Sequence, residues 1–340
     1  IGDSGFDDSR GRAVYLRGRS KWESIIIIPS STIQQEQQQQ QQKDETSDCV
    51  IFTMRGRPPN GYLGHSVGAV DLNADGLDDL VITSPAAQPK SGHIHVIWGG
   101  SKTLSSTTSV TLPVNGIEEG CWITNNDPSY VQWAWIMTSG DINGDGFKDL
   151  IVRAGLGYVV VVLSSKTVQW PIGMTWPSIP NSVYIHGDDN EGFGTSLAAG
   201  DVNGDGFEDV MIGSSLAVEH KGRVYIVFGS NPFMSINISS VSQQSQPDGV
   251  RWSRITGDID HQFIGTKVGV FHGLTGTDLI IGAPIAFDQL GMVILVSHAI
   301  CMREKYDSIT NNNNNRKREY INFLCLQCIP GWGLYLPQGT

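Results

Sequence analysis

Three stretches of the chain place oxygen-bearing side chains at alternate positions of a nine-residue loop. They run from Asp71 to Asp79, Asp141 to Asp149 and Asp201 to Asp209, each reading Asp-x-Asn-x-Asp-Gly-x-x-Asp. A hard cation such as Ca2+ takes about six to eight oxygen ligands shared among carboxylates, amides and backbone carbonyls. Positions 1, 3 and 5 supply Asp71, Asn73 and Asp75; Asp141, Asn143 and Asp145; and Asp201, Asn203 and Asp205. The glycine at position 6 permits a sharp turn after the third ligand. Position 7 offers a backbone carbonyl from Leu77, Phe147 or Phe207, and position 9 adds Asp79, Asp149 or Asp209. Such crowding of like charges is unfavourable without a counter-charge. Three Ca2+ sites are therefore expected. An Asx-rich turn needs no metal, but three copies in register favour the cation. An EF-hand is excluded, because position 12 is Ile82, Val152 or Ile212 rather than Glu. Mg2+ fits less well, since it keeps most of its water.

The elements that position these loops follow from the repeat. The first aspartates, at 71, 141 and 201, are 70 and 60 residues apart, a period that suits a four-stranded propeller blade with insertions. Each loop is followed by an apolar run and then by a β-rich segment: 92–100, 157–165 and 222–230. Upstream lies an aromatic-Gly element, Tyr62-Leu63-Gly64 or Phe193-Gly194; in the second copy Trp133-Ala134-Trp135 stands there without the glycine. Four strands, A to D, are expected per blade. In the third copy these are 193–200, 209–214, 222–228 and 249–256, with further D strands at 49–54, 120–124 and 182–186. The metal loop is then the A–B turn. A fourth copy, 263–296, keeps the frame, but its stretch from Val270 to Asp278 retains only Asp278 and is not expected to bind metal. Residues 1–18 parallel 212–229, so the chain starts midway through a blade. The Gln-rich run Gln34–Gln42, the polar stretch around Asn237 and Asn311–Asn315 all follow a strand C and read as disordered C–D insertions.

Composition agrees. With Lys+Arg 23 and Asp+Glu 34 the net charge is −11, which disfavours general binding to nucleic acid or anionic membrane. Forty glycines in 340 residues, with 17% charged residues, point to short strands and tight turns and away from coiled coils and helical solenoids. The apolar runs Ile25–Ile28 and Val159–Leu163 are too short to span a bilayer. Of the five cysteines, Cys49, Cys121 and Cys301 read as buried apolar residues. Cys325 and Cys328 form a Cys-x-x-Cys that has no second ligand pair for zinc and no βαβ context for redox work. One sequon, Asn237-Ile238-Ser239, stands ready for a glycan in a secreted protein.

The pattern Phe-Gly, then Asp-x-Asn-x-Asp-Gly-x-x-Asp, then Gly282-Ala283-Pro284 resembles the FG-GAP repeat of integrin alpha chains and of glycosylphosphatidylinositol-specific phospholipase D. Thr83-Ser84-Pro85 is a weaker copy of the last element. The resemblance covers residues 1–300. It implies an all-β β-propeller, here about four to five four-stranded blades of a seven-bladed parent, with calcium ligands at the loop positions named above. The expected organisation is a partial first blade with the Gln-rich insertion (1–56), propeller blades (57–300), and an Asn-rich linker leading into a cysteine-rich extracellular module (301–340).

No Gly-x-Ser-x-Gly, His-Glu-x-x-His or P-loop is present, and His93 and His95 read as packed strand residues. The expectation is thus an extracellular or cell-surface calcium-binding propeller for adhesion or ligand recognition, without catalysis of its own. The alternative is the non-catalytic propeller of a secreted phospholipase D-like enzyme. A protein or glycan ligand is expected on the loops opposite the metal turns, near Arg55, Arg57, Tyr130, Asp188, Asp189, Glu191, Asp258 and Asp260.

Overall fold

The computed structural model describes residues 61–86, 92–100, 120–125, 133–155, 157–166, 173–239, 252–257, 262–273, 276–284 and 291–296, and the backbone alone of 2–3, 12–16, 50–56 and 110–112. In chain order the strands are β1 (Gly2–Asp3), β2 (Arg12–Leu16), β3 (Val50–Gly56), β4 (Val67–Val70), β5 (Asp79–Ser84), β6 (His93–Ile97) and β7 (Val110–Leu112). Then come β8 (Gly120–Asn125), β9 (Met137–Gly140), β10 (Asp149–Gly155), β11 (Tyr158–Val162), β12 (Gly173–Trp176), β13 (Ser182–His186) and β14 (Phe193–Gly200). The last are β15 (Asp209–Ser214), β16 (Arg223–Val227), β17 (Ile236–Asn237), β18 (Trp252–Thr256), β19 (Lys267–His272), β20 (Thr277–Ala283) and β21 (Met292–Val296). The architecture is all-β. The strands expected at 193–200, 209–214 and 182–186 are found with those limits, and 249–256 is trimmed to β18.

Five sheets form. Three of them present strands A to D as an antiparallel meander: β4-β5-β6-β8, β9-β10-β11-β13 and β14-β15-β16-β18. The first sheet holds β1-β2-β3, and the last β19-β20-β21. This is the strand order of propeller blades. One compact unit, residues Ile1–Ala69, Leu77–Pro128 and Trp170–Pro177, carries the first two sheets. The other, Val70–Gly76, Ser129–Gln169 and Ser178–Thr340, carries the remaining three. In the second unit Ile151, Val161, Ile185, Phe193, Val210 and Tyr225 share one apolar cluster, and Met211, Val224, Leu279 and Ile281 share another.

The C–D connections hold an element that the sequence pattern hides. Each places a short strand alongside the D strand of the preceding repeat, in parallel: β7 on β3, β12 on β8 and β17 on β13. These clasps sit between strands C and D of their own repeats (β6 and β8, β11 and β13, β16 and β18). The expectation of a disordered insertion around Asn237 is therefore overturned. Ile236 pairs with Ile185 and Asn237 with His186, and the Ile238 N–H donates to the His186 carbonyl at 2.7 Å. The cause is the apolar residues scattered through the polar stretch. Phe233 and Ile238 are both buried in the core, so ordering the loop is offset by apolar burial. The Gln34–Gln42 and Asn311–Asn315 runs lie outside the described residues.

The aromatic-Gly element also has a physical reason. Leu63, Trp133, Phe193 and Ile264 are all buried, and the residue after each turns left-handed: Gly64 at φ 83, Ala134 at 56, Gly194 at 79 and Gly265 at 83. The turn lets the Gly64, Ala134 and Gly265 N–H groups bond the Thr83, Arg153 and Gly282 carbonyls of strand B. Ala134 therefore holds a conformation that costs an L-residue about 1–2 kcal/mol. Ala134→Gly should raise stability by about 0.5–1 kcal/mol, the relief less the greater entropy of glycine in the unfolded chain. Gly194→Ala, whose added Cβ would meet Arg153 Cγ at 3.0 Å, should lower it by about 1–2 kcal/mol. Denaturant titration of the two variants checks both signs.

Candidate metal centre

Each acidic loop joins strands A and B, and all three are wound by the same hydrogen bonds. The carboxylate at position 1 accepts the N–H of position 5 on one oxygen, at 3.1, 3.0 and 3.2 Å for Asp71, Asp141 and Asp201. Its other oxygen accepts the glycine N–H of position 6 at 2.8, 2.9 and 3.0 Å. The position-3 amide carbonyl accepts the same position-5 N–H, while its Nδ2 donates to the position-5 carboxylate. Gly76, Gly146 and Gly206 have φ 91, 87 and 92, with nothing within 4 Å of an added Cβ. Glycine is needed there for conformation alone. Ala74 takes the neighbouring left-handed position at φ 59, where the other loops have Gly144 and Gly204.

Position 9 behaves differently from the rest. Asp75, Asp145 and Asp205 are exposed, whereas Asp79, Asp149 and Asp209 are fully buried. Asp149 accepts N–H groups from Ile142 and Ser164, both at 2.9 Å. Asp209 accepts those of Val202 at 2.9 Å and Gly229 at 3.0 Å, and Asp79 accepts that of Gly99 at 2.8 Å. In every case the distant donor lies two residues beyond the end of strand C. The ninth carboxylate thus ties the acidic loop to the start of the C–D connection. Burial pushes Asp149 and Asp209 up to about 7; the N–H donors oppose this, and the other two aspartates of each loop add to it.

The second and third loops are linked to one another. Glu208 accepts the Asp141 N–H at 3.0 Å and the Lys148 ammonium at 3.0 and 3.2 Å. The Glu208 N–H donates to the Asp141 carbonyl. Phe207 packs so close to Gly144 that an added Cβ would meet its ring at 2.6 Å. Sequence reasoning missed this link, though the opposite charges at position 8 of successive loops, Lys148 and Glu208, are its only trace. In the fourth copy β19 runs on to His272 and β20 starts at Thr277, with Gly273 N–H bonded to the Gly276 carbonyl. Asp278 lies in the strand opposite Phe271.

The fit to a cation rests on donor chemistry. The loop offers three carboxylates, one amide carbonyl and one backbone carbonyl, all hard oxygen donors. Among the described residues no group of three or more His, Cys, Asp or Glu side chains already converges as a metal cluster. His93 and His95 are buried in β6. Burial, with His93 adjacent, lowers His95 to about 3 and keeps it neutral. Cys121 in β8 is a buried free thiol that burial raises to about 12, so it is inert.

On the opposite loops, Asp188, Asp189 and Glu191 share the D–A connection between β13 and β14, but their roles differ. The Arg223 guanidinium grips Glu191 at 3.0 and 3.1 Å, and Tyr225 Oη lies 3.3 Å from it. Burial raises the Glu191 carboxyl and Arg223 opposes that. Glu191 thus anchors the loop, whereas Asp189 is half exposed beside His186. The side chains of Arg55, Arg57, Tyr130, Asp258 and Asp260 lie outside the described residues.

The family model that matches this chain is the FG-GAP repeat, at residues 63–97, 133–163 and 193–227. Each match contains one acidic loop with its flanking strands, so the chain contains three FG-GAP repeats, which imply a β-propeller fold. Its homologues are integrin alpha chains and glycosylphosphatidylinositol-specific phospholipases D. It is 24% identical over 263 residues to the phosphatidylinositol-glycan-specific phospholipase D of Dictyostelium discoideum, covering 70% of this chain and 26% of that one. Integrin alpha-3 of Cricetulus griseus is 29% identical over 51% of this chain and 15% of its own. Integrin alpha pat-2 of Caenorhabditis briggsae is 30% identical over 49% and 14%. The chain thus spans about a quarter or less of the relatives it matches. A solved structure, that of the V. cholerae biofilm matrix protein Bap1, aligns over 68% of this chain and 26% of its own at 16% identity and a TM-score of 0.31. Among the described residues no helix is long and apolar enough to cross a membrane.

The buried and exposed carboxylates should separate in a stability assay without added cation. Asp209→Ala strands two buried N–H groups and should cost about 2–4 kcal/mol. Asp205→Ala, at the exposed position 5, should change cation-free stability little. Chemical denaturation in chelator distinguishes the two.

Proposed function

We propose that this chain is an extracellular, calcium-binding propeller module that recognises a protein or glycan ligand and has no catalytic role of its own. The supporting observation is the threefold recurrence of one loop geometry that presents only hard oxygen donors. Ca2+ would be held by Asp71, Asn73, Asp75, the Leu77 carbonyl and Asp79, and by the same positions of the second and third loops: Asp141, Asn143, Asp145, Phe147 and Asp149; Asp201, Asn203, Asp205, Phe207 and Asp209. Its charge would offset the crowded carboxylates, including the two that burial raises, and so stiffen the A–B turns. The proposed organisation is a partial blade at 1–56, blades at 57–300 and a cysteine-rich start at 301–340.

A second reading has its own support. The Dictyostelium phospholipase D match covers 70% of this chain, more than the integrin matches above. On that reading the module is the non-catalytic propeller of a larger secreted enzyme.

In either case the ligand face is assigned to the B–C and D–A loops. The A–B turns at the other end of each sheet carry the cations, and the C–D connections leave that end to run along a neighbouring D strand. Asp188 and Asp189 would contribute to the ligand face, with Glu191 holding their loop.

Calorimetric titration of the full chain with Ca2+ should count three sites. Asp205→Ala should leave two, and Asp278→Ala should leave three. Saturating Ca2+ at about 100-fold over its dissociation constant should stabilise the fold by about 3 kcal/mol per site. Identical melts in Ca2+ and in chelator would overturn the calcium assignment. Charge reversal at Asp188 and Asp189 should weaken capture of the module by cell-surface or matrix ligand and leave Ca2+ affinity unchanged. The opposite pattern would move the ligand to the metal end.

A further inference from the structure

We propose that Asn237 is an N-glycosylation site whose glycan covers the outermost strand of the third sheet. The inference rests on the extracellular reading above for its natural setting, and on the fold for its feasibility. Asn237-Ile238-Ser239 is the single Asn-x-Ser/Thr in the 340 residues, and its middle residue is not proline. A sequon is usable only if its asparagine can carry a bulky hydrophilic chain once the protein has folded. Strand alternation decides that here. Ile238 is buried and joins the core with Phe233, so the intervening pleat turns Asn237 outward, and it is exposed. A glycan on Asn237 would project into solvent and leave the apolar contacts of the clasp intact.

In the folded chain the two polar residues of the sequon bond one another. Ser239 Oγ donates to Asn237 Oδ1 at 2.8 Å, and the Ser239 N–H donates to the same oxygen at 3.0 Å. In the transfer, Asn237 Nδ2 forms a bond to the anomeric carbon of a lipid-linked oligosaccharide diphosphate. The bond from that carbon to the diphosphate oxygen breaks, and the lipid diphosphate leaves with the electron pair. One Nδ2 proton passes to a base of the transferase.

The position adds a physical consequence. β17 is the last strand of the sheet order β17-β13-β11-β10-β9, and an edge strand is where sheets of separate molecules join. A hydrophilic chain on that strand closes it to such pairing.

The full chain, led into the secretory pathway of a eukaryotic cell by an added signal sequence, should carry one N-glycan. Peptide-N-glycosidase should collapse the protein by one discrete step in apparent mass and leave aspartate at position 237 in the peptide spectrum. Glycan is added before folding is complete, so chain retained in the endoplasmic reticulum reports as well as secreted chain. Asn237→Gln and Ser239→Ala should each abolish the step, and Ser239→Thr should keep it. Unmodified Asn237 in chain that has entered the endoplasmic reticulum would overturn the proposal. Modification under forced secretion, with none on the protein from its natural source, would instead overturn the extracellular reading and leave the site standing. Enzymatically deglycosylated protein should associate more strongly with rising concentration in sedimentation. No change there would overturn the edge-covering role.

Discussion

The buried aspartate at the ninth loop position is the constraint on which the repeat depends. A carboxylate removed from water must find hydrogen-bond donors or a counter-charge, or it is costly. Asp149 and Asp209 each find two backbone donors, one inside their own loop and one just beyond strand C. These bonds fix the path of the A–B turn relative to strand C, and with it the starting point of the C–D connection. The other loop carboxylates remain at the surface, wound around the turn by position-5 and position-6 N–H groups. One residue type, used at three positions of the loop, thus serves two ends. The buried copy shapes the fold, and the exposed ones present a charged rim that a cation would complete.

Much of this was legible in the sequence, for identifiable reasons. The loops stood out because ligand-type residues in register at a period of 60 to 70 residues are rare by chance. The A, B and C strands could be placed because glycine and the acidic loop punctuate them on either side. Two features were less visible. Ala134 occupies a left-handed turn with no glycine to announce it, and only its alignment with Gly64 and Gly194 gives it away. The clasps were invisible because strands of two to four residues, such as Ile236–Asn237, are too short to show an alternating pattern. Their partners also lie in the preceding repeat, beyond the reach of any local signal. The Lys148–Glu208 link was hidden for the same reason, since it couples loops 60 residues apart.

The acidic end and the opposite loops solve different electrostatic problems. At the end that carries the acidic loops, like charges accumulate in solvent-facing turns and are tolerated because backbone N–H groups and Lys148 share the load. At the other end, the partly buried pair of Arg223 with Glu191 is completed by Tyr225. A partly buried pair of this kind holds a loop in one arrangement, since breaking it leaves a half-buried charge without its partner. Asp188 and Asp189 are therefore presented from an anchored base.

The parallel clasps also set the unit in which this protein can be inherited or dissected. The stretch that recurs in the chain is not the stretch that forms a sheet. The second sheet takes its outermost strand, β12, from the repeat that follows, and the third takes β17 in the same way. A duplication that copies one whole repeat hands its clasp to the copy before it, so added repeats arrive already stitched to their predecessors. A fragment ended just after a D strand does the reverse. Ending it at His186 would leave β13 without its clasp, β17, and expose an edge open to other chains. Excised pieces should instead run past the next clasp, to Ser239 for the third sheet, even though that carries the A, B and C strands of the following repeat along.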